Sequence, residues 1–244
     1  MNVAVILVAA GGGVRLGAGM PKAFAPLCGE PLLAHALRGV LACGEVGHVI
    51  VVAPASHLEQ TRSVVGPSGP DDGRGRVRAG STTNASVVPV DVVVGGADRS
   101  ASVGAGLAAL RRDDGIVLVH DVARPLAPPD LFARVIHAVR AGHPAVVPGL
   151  AVTDTVKVVD ATGRVLATPD RESLRGIQTP QGFLREVLEH AYAAGVSATD
   201  DAGLVERMGG HVRVVDGDHR ALKITSPLDL ATATALLKDD HHAG

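Results

Sequence analysis

A glycine-rich stretch near the start of the chain carries two cations. It runs AAGGGVRLGAGMPK from Ala9 to Lys22, with Arg15 seven positions before the lysine. Backbone N–H groups in such a loop can bind phosphate oxygens, and an Arg and a Lys together can neutralise a polyphosphate. The alternative is that both are solvated loop charges. Neither common nucleotide fingerprint fits, because Leu16 stands where G-x-G-x-x-G needs glycine and Gly17 does not precede a Lys.

A second motif, HDVARP, spans His120 to Pro125 directly after an apolar run. Asp121 and Arg124 stand three residues apart at the carboxyl end of a predicted strand, so we expect both to point into one crevice. The Asp could bind a metal or a hydroxyl, and the Arg could bind a phosphate. The alternative is a local Asp–Arg surface pair, which would contribute little to stability.

A third motif, GGADRS, runs from Gly95 to Ser100 and joins a predicted strand to a predicted helix. The paired glycines would let a flat ligand such as a base approach closely. A simple helix cap by Asp98 or Ser100 explains the same residues, and on these residues alone the cap is favoured. No Ser/His/Asp nucleophile signature is present, and the 11 His show no metal-ligand spacing.

The composition excludes several classes of function. Lys and Arg number 23 against 25 Asp and Glu, so we expect no general nucleic-acid binding. Three Phe, one Tyr and no Trp are too few to stack single-stranded bases. No apolar run approaches the roughly 20 residues of a membrane helix, and no basic segment precedes the first apolar run as in a signal peptide. Cys28 and Cys43 form no CxxC pair, which favours free thiols and a cytoplasmic location.

Apolar runs alternate with helical patterns along the chain, which predicts a Rossmann-like α/β domain with a mostly parallel sheet over residues 1–244. The predicted strands are Val3–Val8, His48–Ala53, Val90–Val94, Ile116–His120, Ala145–Pro148 and His211–Val215. The predicted helices are Pro31–Cys43, with Pro at its first position, Ser100–Arg112, Pro129–Ala141 and Pro227–Leu237.

Three segments depart from this alternation. Gly66–Ser86 is rich in Gly, Pro, Ser and charge, which predicts a flexible surface loop. Ala151–Gly176 alternates polar and apolar residues around a Thr-Gly turn, which predicts a projecting β-hairpin that could serve as an oligomer arm. The final DDHHAG is expected to be a frayed tail, and its two His are not expected to bind metal.

With these motifs assembled, the chain resembles the 2-C-methyl-D-erythritol 4-phosphate cytidylyltransferases of the non-mevalonate isoprenoid pathway. The first loop is shared by many nucleotidyltransferases that activate sugars, whereas H-D-x-A-R-P together with D-T-x-K and T-P-Q is more specific. The motifs occur in family order: A-A-G-x-G-x-R and P-K in Ala9–Lys22, H-D-x-A-R-P in His120–Pro125, D-T-x-K in Asp154–Lys157, T-P-Q in Thr179–Gln181, T-D-[DE] in Thr199–Asp201 and K-[IV]-T in Lys223–Thr225.

The resemblance implies that CTP reacts with a sugar-alcohol phosphate to give a CDP-linked product and pyrophosphate. It also implies a nucleotide-diphospho-sugar transferase fold, Mg²⁺ bound mainly through the CTP phosphates, and a homodimer formed through the β-arm. By motif position, Arg15 and Lys22 are catalytic; Ala9, Ala10, Gly11, Gly13, Gly96, Asp98, Ser102 and Lys223 bind CTP; Asp121, Arg124, Thr155, Arg171, Thr179, Thr199 and Lys223 bind the acceptor; and Asp121 is a candidate metal ligand.

Two departures and three rival functions remain. Gly66–Ser86 is longer than usual for the family, and one rival is a uridylyl- or guanylyltransferase that acts on sugar phosphates. Ala97 stands where the family often has Asp, which leaves the cytosine contacts open. A cytidylyltransferase for another polyol phosphate, such as ribitol 5-phosphate, would share the first loop and HDVARP. A non-catalytic nucleotide-binding regulator on the same fold would not need both Arg15 and Lys22.

Overall fold

The computed structural model describes residues 1–10, 20–66, 74–78 and 87–242, with only the backbone described for 74–78 and 240–242. Its strands are β1 (Asn2–Val8), β2 (Pro26–Leu27), β3 (Glu30–Pro31), β4 (His48–Ala53), β5 (Arg74–Arg78), β6 (Val87–Val94), β7 (Asp114–Asp121), β8 (Ala145–Ala151), β9 (Val158–Val159), β10 (Val165–Ala167), β11 (Arg175–Ile177), β12 (Gln181–Leu184) and β13 (Arg213–Asp216). Its helices are α1 (Leu32–Ala42), α2 (Leu58–Val65), α3 (Arg99–Ala108), α4 (Pro129–Arg140), α5 (Arg185–Ala193), α6 (Asp201–Arg207) and α7 (Pro227–His242).

Nine of the strands in the described ranges form one mixed, mostly parallel sheet, as predicted. Their order is β11-β8-β12-β7-β1-β4-β6-β5, and β13 pairs with β8. β7, β1, β4 and β6 are parallel neighbours, whereas β5, β11 and β12 pair antiparallel with theirs. The four parallel neighbours therefore present their carboxyl ends along one edge, where ligands bind in open α/β sheets.

The core lies on both faces of this sheet. Leu7 and its same-face neighbours on β1 pack with α1, α2 and α4, while Ile6 and Val8 pack with α3, α5 and α6 on the other face. Successive side chains of a strand point to opposite faces, so a strand buried on both faces must be apolar throughout. That pattern explains why β1 was predictable from VAVILV. Within the described residues, no helix has the length and apolar character needed to span a membrane.

Several predicted boundaries were wrong. α1 begins at Leu32, because Pro31 is extended at φ −60°, ψ 146° and caps the helix instead of being its first residue. The predicted helix Ser100–Arg112 ends at Ala108, and the Asp114 carboxylate accepts the Arg111 N–H at 2.8 Å in the turn that follows. β12, α2, α5 and α6 were not predicted from the sequence.

The last helix, α7, extends further toward the C-terminus than predicted. α7 continues to His242, so the prediction of a frayed tail over DDHHAG was wrong for residues 239–242, and residues 243 and 244 lie outside the described residues. Leu236 and Leu237, close to that predicted end, pack against a small cluster that includes Leu27. Burial of these two leucines helps to hold the last turns of the helix against the domain.

The segment Gly66–Ser86 contains regular structure. Residues 74–78 form β5, which pairs antiparallel with β6 at the sheet edge, so the loop prediction was wrong for those five residues. The stretches 67–73 and 79–86 lie outside the described residues. An edge strand can pair through its backbone alone, which explains why the side-chain pattern did not reveal it.

The segment Ala151–Gly176 contains a two-stranded β-ribbon, formed by β9 and β10. β8 ends at Ala151, which pairs with Arg175 at the start of β11, so the chain leaves and rejoins the main sheet at adjacent positions. Between them β9 and β10 pair antiparallel around Gly163, whose φ of +86° suits a tight turn. The role of this ribbon as a dimer arm stays a prediction.

Candidate active site

The polar motifs converge at the carboxyl ends of the parallel strands. Val8 at the end of β1 is paired in register with Asp121 at the end of β7 and with Val52 of β4. Just beyond these strands, the Ala9 N–H donates to the Val52 carbonyl at 2.8 Å. The Gly95 N–H donates to the Ala53 carbonyl, also at 2.8 Å. Backbone bonding therefore brings the start of the first loop, GGADRS and HDVARP to one edge.

The first loop begins beside GGADRS. Ala9 is buried, Ala10 is half-buried, and a side chain on Gly95 would clash with the methyl group of Ala10. The glycine at position 95 is thus needed for close packing of the two loops. Lys22 is half-buried and opens a short helical turn that ends at Phe24. The predicted residues Gly11, Gly13 and Arg15 lie outside the described residues.

GGADRS forms a capped helix start, so the cap interpretation is confirmed for Asp98. Its Oδ1 accepts the Ala101 N–H at 2.7 Å. The Ser102 hydroxyl donates to the Asp98 carbonyl at 2.7 Å and accepts the Gly96 N–H at 3.2 Å. Gly96 and Asp98 of this motif and Ser102 in the first turn of α3, all predicted to bind CTP, therefore lie together at the amino end of that helix. Their contact with cytosine stays a prediction.

Asp121 lies between two cations. Its Oδ2 is 2.7 Å from Nζ of Lys223, and its Oδ1 accepts Nε–H of Arg99 at 3.3 Å. The carboxyl group is buried, which by itself would raise its pKa, but the charges of Arg99 and Lys223 lower it to about 2. The suggestion of a surface pair between Asp121 and Arg124 was wrong, because the Asp is buried and its partners come from α3 and the segment before α7.

Arg124 donates to backbone groups. One terminal nitrogen donates to the Ala221 carbonyl at 2.6 Å and the other to the Ile177 carbonyl at 3.2 Å. Its Nε is buried without a hydrogen-bond partner among the described residues. Burial lowers the pKa of Arg124, against the opposing influence of Asp121. Arg124 therefore joins HDVARP to the strand after the β-ribbon and to the segment that carries Lys223, and its contact with a phosphate stays a prediction.

The side chains of His120 and Thr179 bond to each other and to the backbone at and just after the end of β7. The Thr179 hydroxyl accepts the Asp121 N–H at 3.1 Å and lies 3.0 Å from Nδ1 of His120. The hydroxyl proton therefore goes to Nδ1, and Nε2–H of His120 donates to the Arg124 carbonyl at 3.3 Å. Burial lowers the pKa of His120 to about 4, so the ring is neutral at pH 7. Thr179 was predicted to bind the acceptor, but its hydroxyl proton is already donated to His120 inside the protein.

The remaining acceptor residues are spread more widely. Thr155 and Arg171 are exposed near the β-ribbon, where Arg171 donates to the Thr153 carbonyl at 2.9 Å. Thr199 is exposed just before Asp200, which caps α6 by accepting the Gly203 N–H at 2.9 Å. Among the contacts of the described chain, none joins these three side chains to Asp121. Their roles stay predictions.

The sequence did not reveal that Arg99 links Asp121 of the site to a second buried carboxylate, that of Asp201. The guanidinium of Arg99 binds the buried carboxylate of Asp201 through both terminal nitrogens, at 3.1 and 2.7 Å. The Tyr192 hydroxyl donates to the same carboxylate at 2.5 Å. Arg99 stands inside GGADRS and Asp201 inside the T-D-D motif, so both lay in noted stretches, but no local pattern pairs residues 102 positions apart.

The fold and this edge define the class: a Rossmann-like α/β protein whose polar motifs meet at the carboxyl ends of its parallel strands, the edge where open α/β sheets bind ligands. The sequence model of the family described as IspD, 2-C-methyl-D-erythritol 4-phosphate cytidylyltransferase, matches residues 3–239. The chain belongs to this family of nucleotidyltransferase enzymes.

Individual relatives match this chain over nearly its whole length, in sequence and in structure. The chain is 50% identical over 236 residues to the Nocardia farcinica 2-C-methyl-D-erythritol 4-phosphate cytidylyltransferase, covering 97% of this chain and 94% of that protein. A Rhodococcus jostii protein of the same name is 47% identical over 241 residues, with 98% and 97% covered. The crystal structure of the Thermus thermophilus protein of that name superposes with a TM-score of 0.71 at 34% identity, covering 98% of this chain and 100% of that one. The 4-diphosphocytidyl-2C-methyl-D-erythritol synthase of Anaerococcus prevotii superposes with a TM-score of 0.79 at 28% identity, with 97% and 98% covered.

Proposed function

We propose that this protein transfers CMP from CTP to 2-C-methyl-D-erythritol 4-phosphate, giving 4-diphosphocytidyl-2-C-methyl-D-erythritol and pyrophosphate. The observation that carries the proposal is the 2.7 Å contact between Lys223 and Asp121. It brings the K-I-T and H-D-x-A-R-P motifs of the family together at the ligand-binding edge of the sheet, in a chain that matches the family over residues 3–239.

The chemistry fits a site without a general base. A phosphate monoester has its second pKa near ~6, so the acceptor is largely a dianion at neutral pH and attacks without losing a proton to the protein. One of its oxygens bonds to the α-phosphorus of CTP while the bond from that phosphorus to the β-phosphate oxygen breaks, and pyrophosphate leaves. The obstacle is repulsion between anions, so charge neutralisation and positioning provide most of the catalysis.

The lysines would provide that neutralisation. Lys223 is 44% exposed at its side chain, so its ammonium can reach a phosphate while Asp121 orients it. Lys22 lies at the end of the first loop, where it would act as a point charge on the triphosphate. Arg15 is proposed as its partner from the family motif alone.

A magnesium ion is part of the proposal, carried on CTP. Mg²⁺ would shield the triphosphate charge, and it is usually bound by substrate phosphates and water with only one or two carboxylates. The described residues do not fit an ion held mainly by the protein, since no group of three His, Cys, Asp or Glu side chains among them could hold a metal. Asp121 also fits poorly as a ligand, because both its oxygens already face cations.

We further propose a homodimer formed through the β-ribbon and a cytoplasmic location. Four large apolar side chains of the ribbon are roughly half exposed, which favours a second protein surface against them. They are Val158, Val159, Val165 and Leu166. Both cysteines are free, which fits a reducing compartment.

A pyrophosphate-release assay tests the function directly. The purified protein is given 2-C-methyl-D-erythritol 4-phosphate with CTP, UTP, GTP or ATP, and CTP with ribitol 5-phosphate in place of the first acceptor. We expect release with CTP and methylerythritol phosphate only. Turnover of ribitol 5-phosphate alone would assign the other cytidylyltransferase activity, and calorimetric CTP binding without turnover of either acceptor would assign a regulator.

A further inference from the structure

Asp121 and Lys223 do not stand alone at the site, because Arg99 joins them to a buried anchor. The guanidinium reaches Asp121 with Nε and Asp201 with both terminal nitrogens. A planar fork that grips a carboxylate with two parallel bonds is held in orientation as well as in place. Asp201 is 0% exposed and also accepts the Tyr192 hydroxyl, so the anchor end of Arg99 is fixed within the domain.

The charges of this row cancel only with Arg99 present. Lys223 and Arg99 are cations, Asp121 and Asp201 are anions, and adjacent members of the row lie within 2.7 to 3.3 Å. Without Arg99, both carboxylates would remain, and Lys223 would be the one cation left within this row of described side chains. Lys223 would then be held more strongly by Asp121, and the edge would carry an extra negative charge where two anionic substrates must bind.

We infer that Arg99 is a positioning residue for the acceptor phosphate: it neutralises Asp121 so that the charge of Lys223 remains available to the phosphate of the sugar alcohol. Arg99 acts through these two side chains and is not assigned a contact with substrate. This inference rests on the proposed function.

The side chain of Arg99 is separate from the contacts that shape the nucleotide loop. The cap of α3 uses the Asp98 carboxylate and the Ala101 N–H, and Ser102 bonds to the backbone of Gly96 and Asp98. None of these bonds uses the guanidinium, so we expect the loop to keep its form in an Arg99 variant. The loss should therefore concern the acceptor more than CTP.

The experiment compares Arg99→Gln and Arg99→Lys with the wild type in the pyrophosphate-release assay, varying each substrate in turn. Arg99→Gln should raise the acceptor KM about 10- to 100-fold, since a hydrogen-bonded charge is lost, and change the CTP KM less than about threefold. Arg99→Lys restores the charge without the fork and should recover part of the acceptor KM. The matched control is Arg185→Gln, which removes an arginine of similar exposure (29% of the side chain against 32% for Arg99) that pairs with Glu189 on α5, and its acceptor KM should stay within about twofold of wild type.

The results separate this inference from the function on which it rests. An Arg99→Gln enzyme with the wild-type acceptor KM, or with an equal rise in both KM values, would reject the positioning role alone. If Arg99→Gln does not fold by circular dichroism, the comparison of the two KM values is made on Arg99→Gln combined with Asp201→Asn. That double variant removes the buried carboxylate that would lose its arginine, but still leaves Asp121 facing Lys223 without Arg99, so an unchanged acceptor KM there rejects the role equally. A wild type that releases no pyrophosphate from CTP and methylerythritol phosphate would reject the proposed function and this inference together.

Discussion

The guanidinium of Arg124 donates to the backbone carbonyl of Ala221 at 2.6 Å, two residues before Lys223. The same side chain reaches the Ile177 carbonyl at the end of β11. One arginine of HDVARP therefore holds two distant segments of the site in place. Its predicted contact with the acceptor phosphate would have to be made in addition to these bonds.

We predict that Arg124→Lys raises the acceptor KM by on the order of tenfold and lowers the melting temperature by several degrees. A lysine keeps the positive charge but cannot donate to both carbonyls, so the Lys223 segment loses its support. Steady-state kinetics and thermal unfolding measure the two effects. The control is Arg134→Lys, since Arg134 donates to the Asp216 carbonyl outside the site. It should lower stability without changing the KM, and an Arg124→Lys enzyme indistinguishable from wild type would contradict the role.

Lys22→Ala should lower kcat by on the order of 10²–10³-fold, comparable with the loss of one preorganised donor to a developing oxyanion. The fold should be retained, because the lysine is only half-buried at the start of a short turn. Rapid-quench turnover and circular dichroism give the two measurements. The exposed Lys238 on α7 provides the control, since its alanine variant should keep full activity. Near-normal turnover of Lys22→Ala would overturn the catalytic assignment, and Arg15→Ala is predicted to behave like it from the family motif.

Stability should fall as the pH drops from about 6.5 to about 4, because of His120. Burial holds the pKa of this ring at about 4 in the folded chain, below the ordinary value of 6.5, so the unfolded chain takes up a proton first in that range. A depressed folded pKa contributes stability that is fully present above pH 6.5 and lost toward pH 4, on the order of 3 kcal/mol. Urea unfolding at pH 7.5, 6 and 5 measures the trend, and His120→Asn should flatten it.

The protonation of His120 can also be followed in the folded wild type. Its ring signal in a proton–nitrogen correlation spectrum should show the neutral Nε2–H form at pH 6, as expected from its bonds to Thr179 and the Arg124 carbonyl. A ring that becomes doubly protonated above pH 6 in the folded protein would contradict the prediction, whatever the stability of the variant.

The β-ribbon should determine the oligomeric state. Val159→Asp combined with Leu166→Asp places charge on two apolar side chains that are 52% and 60% exposed, and should convert a dimer to monomers in sedimentation velocity. Leu228→Asp is the control, because Leu228 is 75% exposed on α7, away from the ribbon. An intact dimer in the double variant, or a monomeric wild type, would reject the arm.

Local patterns in the sequence determined much of the fold. His48–Ala53 is β4 as predicted, because six buried positions in succession admit only apolar or internally paired side chains. Pro129 begins α4 as predicted, because a fixed φ and a missing N–H suit the first helical turn. Asp121 lies at the carboxyl end of β7, as its position after an apolar run indicated, whereas the roles of the motif residues stay predictions.

Only the tertiary structure decided which of those residues meet. β12 inserts antiparallel between β7 and β8, although Gln181–Leu184 is four residues long and contains a glycine that lies close to Val135 of α4. The row from Lys223 through Asp121 and Arg99 to Asp201 joins four segments whose paired members are 22 to 102 residues apart. Sequence patterns report the burial and backbone preference of neighbouring residues. The partner of a charged side chain is set by the chain topology and by the cost of burying that charge unpaired.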